Sequence, residues 1–263
     1  MSSILLKIVE KKGQEIQEAK ARRPLSELQL ACSTSPEPRD FLAALRGYSQ
    51  IRLIAEVKKA SPSKGIIRAD FDPVAIAKSY QDAGAAALSV LTDEHFFKGH
   101  LDYLTEVRKH VSIPILRKDF IIDEYQVWEA RAAGADAVLL IAECLTKEKL
   151  QELLELTHKL GMNALVEFHH AESLPAVLQA KPPLVGVNNR DLNTFTVDLG
   201  HVVRMRAILP TDVTLVGESG IATRQDAIYL EQNRIDAMLV GESLMRSPDV
   251  GLAVRILLGK PIG

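Results

Sequence analysis

Net charge is almost absent from this chain: 32 Lys and Arg stand against 34 Asp and Glu over 263 residues, a formal balance of −2. A near-neutral surface gives no global pull toward nucleic acid or an anionic membrane, so affinity for any anion has to be built locally. Cysteine is equally scarce. Cys32 and Cys144 are far apart and outside any CxxC spacing, which argues against a zinc site; one disulfide is an open alternative, and two reduced thiols in a cytosolic protein is the simpler expectation. No uncharged apolar run reaches membrane-spanning length, and Lys7, Glu10, Lys11 and Lys12 interrupt the N-terminal apolar residues, leaving no signal-peptide core. The expectation is a soluble protein that is not exported.

What the chain does have is a repeating rhythm. Strand-like runs at 51–58, 86–91, 113–118, 137–141, 164–168, 185–188, 214–218 and 237–240 alternate with helical patterns at 73–83, 101–109, 124–133, 147–160, 171–179, 199–208, 224–231 and 250–258. Asp72–Pro73 has the form of an N-cap followed by a first-turn proline, and glycines at 84, 134 and 161 end helices just before the next strand. Apolar content of 47% supplies one continuous core, and no Gly/Ser linker divides the rhythm. The predicted fold class is α/β, a single (β/α)8 TIM barrel. A doubly wound open sheet is the rival, but no GxGxxG turn follows the first strand. Residues 1–48 stand outside the rhythm and form an N-terminal helical extension to one domain spanning 1–263. In it Ile4, Leu5, Ile8 and Val9 share a helical face, and 35–46 (SPEPRDFLAALR) is expected to start a further helix after its prolines. Two placements are open: a pair packed on the barrel flank, or a lid over the strand tips.

Six of the apolar runs end on a charged or amide side chain. They are RLIAEVK (52–58), PILRK (114–118), ALVE (164–167), LVGVN (184–188), TLVGE (214–218) and MLVGE (238–242). A buried parallel strand is apolar throughout, so a polar group at its C-terminal tip calls for a function, and in barrels those tips converge on the ligand. Strand alternation places Glu56, Lys58, Lys118, Glu167, Asn188 and Glu218 inward. An ion-pair network closing the barrel top is one account of such a cluster. Proton transfer in both directions near neutral pH is the other.

Two GES sequences follow the seventh and eighth strands, VGESGI (216–221) and VGESLM (240–245), where barrels commonly cradle phosphate through backbone N–H groups. Arg190, just past the sixth strand, adds a cation capable of bidentate contact. The loop KKASPSKG (58–65) is long for a strand-to-helix turn and reads either as solvated surface or as a mobile cover for an anionic substrate. His169 and His170 read as a helix-start pair, and Trp128 as packing.

At these residues the chain resembles the indole-3-glycerol phosphate synthases. The likeness is carried by EVKKASPSKG (56–65), FDP (71–73), VLTDEHFFKG (90–99), PILRKDFIIDEYQ (114–126), VGVNNRDL (185–192), VGESGI and VGESLM; FHHAES (168–173) departs from the pattern. The resemblance implies a carboxy-lyase of tryptophan biosynthesis that closes a pyrrole ring on 1-(2-carboxyphenylamino)-1-deoxyribulose 5-phosphate, releasing carbon dioxide and water. It implies Lys118 as general acid, Glu167 as proton acceptor or relay, and Lys58 on the substrate carboxylate and in the dehydration. Glu56, Asn188 and Glu218 would orient the lysines and sugar hydroxyls. Arg190, Ser219, Gly220, Gly241 and Glu242 would hold the phosphate, the last three through backbone N–H. Ser61 and Pro62 of the long loop, with Phe97, Phe120 and Leu139, would contact substrate, the apolar ones forming the aryl slot. No metal or organic cofactor is implied, and the expected partner is the sugar-phosphate substrate of a monomer, not a nucleic acid or a membrane. A Schiff-base aldolase using Lys118 and a non-catalytic phosphate-binding barrel remain the alternatives.

Overall fold

The computed structural model describes residues 3–191 and 194–261. Leu192, the last residue of one motif above, lies outside them, as do Met1, Ser2, Asn193, Ile262 and Gly263. Eight parallel strands close on themselves: β1 (Arg52–Val57), β4 (Ala87–Leu91), β5 (Ile115–Lys118), β6 (Ala137–Ile141), β7 (Asn163–Phe168), β8 (Leu184–Asn188), β9 (Thr214–Glu218) and β10 (Ala237–Val240). The first and last strands pair, Arg52 with Ala237 through Ala55 with Val240, which rules out the open sheet. The intervening β2 (Ala60–Ser61) and β3 (Gly65–Ile66) are a small antiparallel hairpin inside the long loop after β1, absent from the sequence expectation.

Period-2 alternation sorts the core into two layers. Leu53, Ala55 and Val57 of β1, with Leu88, Val138, Val166 and Val187, face outward and pack under the helices. Ile54, Leu116, Leu139, Leu165, Val216 and Leu239 fill the barrel interior. The outer layer is covered by α3 (Pro73–Ala83), α5 (Leu101–His110), α6 (Glu124–Ala133), α7 (Lys147–Lys159), α8 (Leu174–Ala180), α9 (Gly200–Arg206), α10 (Arg224–Gln232) and α12 (Val250–Leu258). The Asp72 cap is present, its Oδ1 accepting from Val74 and Ala75 N–H at 3.0 Å each, and Gly84 and Gly134 end α3 and α6 at φ 98° and 89°. Two short helices escaped the periodicity, α4 (Glu94–Phe97) and α11 (Glu242–Met245). The pattern expected at 171–179 splits into a 3-10 turn, Ala171–Ser173, and α8, whose first turn holds Pro175.

The N-terminal extension behaves as two parts. Helices α1 (Ser3–Arg22) and α2 (Leu25–Thr34) pack Ile16 and Leu28 against Tyr125 and Trp128 of α6, so the packing role of Trp128 holds. Residues 35–46 do not form the expected helix. Pro36 and Pro38 open the segment, and Asp136 and Asn163 take its backbone N–H groups. Asp136 Oδ1 accepts from Arg39 N–H at 2.6 Å, and Asn163 Oδ1 from Phe41 and Leu42 N–H at 3.0 and 3.2 Å. These turns press Phe41, Leu42 and Leu45 into the interior cluster at the end where the strands begin.

Phe41 is fully buried, so Phe41→Ala leaves a void in the barrel floor. Loss of about 3–5 kcal/mol of stability is expected, read as a lowered midpoint in urea unfolding monitored by circular dichroism.

Candidate active site

The six inward tips meet at one mouth. Lys118 at the end of β5 directs its ammonium at three carboxylates: Glu218 Oε2 of β9 at 3.1 Å, Glu167 Oε2 of β7 at 3.6 Å and Glu56 Oε1 of β1 at 3.7 Å. Lys58 pairs with the other oxygen of Glu56 at 2.5 Å, and Asn188 Nδ2 donates to Glu167 Oε1 at 3.0 Å. Two glycines make room for this crowd. A Cβ on Gly186 would strike Glu218 Oε1, and one on Gly241 would strike Glu56 Oε2. Gly241, expected from the sequence to belong to a phosphate turn, therefore makes room for the carboxylate network.

Burial alone would lower the pKa of Lys118, but Glu218, Glu167 and Glu56 outweigh it and push it above the normal lysine value. Lys118 rests as an ammonium. Glu56 is likewise desolvated, yet Lys58 and Lys118 hold its pKa below the ordinary range. Glu218 goes the other way: burial first and the neighbouring Glu167 second push it up to about 8 against the pull of Lys118. The mouth thus holds an ionised lysine beside a carboxyl that keeps its proton near neutrality, a donor–acceptor set suited to acid–base work. Glu167 Oε2 and Glu218 Oε1 are buried and make no hydrogen bond of normal geometry among the described residues, so a protonated Glu218 Oε1 is a donor and Glu167 Oε2 an acceptor open to a ligand's hydroxyls.

These side chains line a cavity of about 490 Å³. Its wall includes Arg190, Ser219, Gly220, Gly241 and Glu242 on the β8–β10 side, and Ser61, Pro62, Phe97, Phe120 and Leu139 on the other. Every site residue expected from the sequence comes together here. Ser219 and Gly220 are both left-handed, φ 64° and 78°, and a Cβ on Gly220 would collide with Val197 Cγ1. The aromatic rings of Phe97 and Phe120 lie 6.1 Å apart, and the β2–β3 hairpin carries Ser61 to the cavity edge.

Several wall residues had not been picked out. Ile4, Leu5 and Ile8 of α1 roof the cavity, so the extension reaches the mouth as well as the flank. Their helical spacing was visible in the sequence; their destination was not. Phe195, at φ 59°, and Arg246, whose Nε meets Glu242 Oε1 at 3.1 Å, also line it. His169 is more than a helix-start residue: its Nδ1 lies 2.6 Å from the Asn188 carbonyl, and its own carbonyl lies 2.8 Å from His201 Nε2. Nothing in the spacing of HH signalled that bracing. Among the described residues no group of three or more His, Cys, Asp and Glu side chains is placed to hold a metal ion.

The closed eight-stranded parallel barrel defines a TIM barrel, and its lysines and glutamates converge at the C-terminal mouth, the face where such barrels carry their active sites. Solved structures with that architecture include 3-hexulose-6-phosphate synthase from Salmonella typhimurium, with a TM-score of 0.65 at 12% identity over 80% of this chain and 97% of that one. Another is KGPDC from Streptococcus mutans, at 0.62 and 10% over 79% and 95%. At such identities they speak for the fold alone. The family model of indole-3-glycerol phosphate synthase matches residues 5–257. Proteins of that name from Rhodopirellula baltica and Dehalococcoides mccartyi are 55% and 50% identical, each aligned over 97% of this chain and 99% and 100% of theirs. The chain belongs to the indole-3-glycerol phosphate synthase family.

The raised Glu218 sets a pH signature. Its folded pKa exceeds the unfolded one, so its contribution to stability is complete below the unfolded value and is lost as pH rises through the folded value, about 8. The thermal midpoint of the wild type should fall relative to Glu218→Gln between pH 5 and pH 8, and the gap should level off above, measured by calorimetry across that range. A pH-independent gap would remove the buried proton from Glu218.

Proposed function

We propose that Lys118 is the general acid, Glu167 the proton acceptor and Lys58 the carboxylate partner in the family's reaction at this mouth. That reaction closes 1-(2-carboxyphenylamino)-1-deoxyribulose 5-phosphate to indole-3-glycerol phosphate, with loss of carbon dioxide and water. It is the work of a carboxy-lyase of tryptophan biosynthesis. The observation that carries the assignment is the Lys118 ammonium held within 3.1–3.7 Å of three buried carboxylates and opening on one cavity. A phosphate on Gly220, Gly241 and Arg190 and an aryl ring between Phe97, Phe120, Leu139 and Pro62 place the ribulose carbonyl in front of Lys118.

As the aryl carbon bearing the carboxylate bonds to the carbonyl carbon, Lys118 gives its proton to the carbonyl oxygen. The C–CO₂ bond then breaks and its electron pair restores the aromatic ring. In the second half the new hydroxyl leaves as water after protonation by Lys58, another lysine lining the same cavity, and Glu167 takes the ring-carbon proton that completes the pyrrole. Glu56, Asn188 and Glu218 fix the two lysines and the sugar hydroxyls. Ser61, Ser219 and Glu242 complete the contacts, the last through its backbone N–H. The chain works as one domain with residues 1–48 as its extension, as a monomer in the cytoplasm, on a small anionic substrate. Two widely separated free cysteines and the near-zero net charge support that setting, and among the described residues no helix is long and apolar enough to cross a membrane.

Supplying the carboxyphenylamino-deoxyribulose phosphate and following indole fluorescence tests the activity. Lys118→Met keeps the stem and removes the acidic proton, so kcat should fall by at least ~10³ while substrate binding, followed by titration with a reduced analogue, survives. Near wild-type turnover in that variant would sink the acid role, and borohydride trapping of an imine would favour the aldolase alternative. Glu167→Gln should lose ~10²–10⁴ in kcat in the same assay. Inorganic phosphate should compete with substrate; no competition at high phosphate would count against the glycine cradle.

A further inference from the structure

One buried lysine lies outside the chemistry just described. Lys12 sits in the middle of α1, is 4% exposed, and comes from the helix that roofs the cavity with Ile4, Leu5 and Ile8. Its ammonium meets Asp93 Oδ2 at 2.8 Å, Asp119 Oδ1 at 3.0 Å and Glu15 Oε2 at 2.7 Å. Asp93 follows β4 and Asp119 follows β5, so the three contacts tie the roof to two strand tips.

The two aspartates are not passive anchors. Asp93 uses its other oxygen, Oδ1, to accept from Phe96 and Phe97 N–H at 2.7 and 3.2 Å, capping the short α4. Asp119 Oδ1, the same oxygen that meets Lys12, accepts from Phe120 N–H at 2.8 Å. Thr92 Oγ1 donates to Asp119 Oδ2, and Arg117 adds a contact at 3.3 Å. Each carboxylate therefore orients one of the two rings proposed to grip the aryl group, and both are held by a single charge from the roof.

We infer that Lys12 is a positioning residue for the aryl slot, setting Phe97 and Phe120 through Asp93 and Asp119 while keeping Ile4, Leu5 and Ile8 over the ring. This rests on the aryl reading of the slot given above. The lysine touches neither the carbonyl nor the phosphate. Its loss weakens binding of the ring more than it slows the chemistry, and it leaves phosphate binding on the far side of the mouth in place. A purely structural lysine predicts another outcome: fewer folded molecules, with an unchanged KM among those that remain.

The test measures Lys12→Met in steady state, with 2-aminobenzoate and inorganic phosphate as competing probes. Expected is a rise of about tenfold in KM and in the inhibition constant of 2-aminobenzoate, with kcat within about threefold and the phosphate constant within about twofold. Asp93→Asn keeps an oxygen for the α4 cap and removes the charge facing Lys12. It should show the same split, so the test stands even where the Met variant does not fold. Lys12→Arg, which retains the charge, should recover part of the KM. Unchanged KM and aminobenzoate constants in the folded variants, or equal losses for both probes, would overturn the assignment. A wild type that makes product, with variants that keep its KM and aminobenzoate constant, defeats Lys12 alone, whereas a wild type that makes none removes the reading on which Lys12 depends.

Discussion

The arrangement at the mouth depends on one constraint: five ionisable side chains are taken out of water together. An isolated carboxylate or ammonium in such surroundings would neutralise or impose a penalty of several kcal/mol. Here Lys118 is tolerable as a cation because three carboxylates surround it, and Glu56 is tolerable as an anion because Lys58 and Lys118 face it. The set has one more carboxylate than lysines, and Glu218 absorbs the imbalance by keeping its proton. Stability is given up to hold a cation and a neutral acid side by side, which an exposed pair could not do.

That constraint reaches back into the backbone. The carboxylates approach one another only because Gly186 and Gly241 carry no Cβ, and because ring closure between β1 and β10 brings Glu56 round to Glu218 and Lys118. The segment ahead of the barrel serves both ends of it. Phe41, Leu42 and Leu45 close the floor, while the start of α1 covers the mouth. One stretch of chain therefore closes the bottom of the core and supplies part of the cavity wall at the mouth.

Much of this was legible in advance where the signal was local. Strands β6, β9 and β10 and helices α3, α6 and α12 fall on their expected residues because alternation, Asp72–Pro73 and the glycine stops act over a few positions. The inward faces of Lys118 and Glu167 followed from the same period of two. The fate of 35–46 was not legible: FLAALR has helical composition, but Asp136 and Asn163, distant in sequence, claim its N–H groups. The bracing of Asn188 by His169 and the burial of Lys12 were hidden for the same reason, since each depends on partners supplied by other strands and helices.

By itself the sequence determined the number and order of the eight barrel strands, which end of each carries polar groups, and which residues point inward. Those properties follow from hydrophobic periodicity and from the cost of burying a polar group without cause. Only the tertiary structure decided which carboxylate keeps the proton and which three groups surround Lys118. It also decided that α1 lies across the mouth. Those outcomes rest on distances of a few ångströms between groups such as Lys118 and Glu218, a hundred residues apart, and on the desolvation that ring closure imposes on all of them at once.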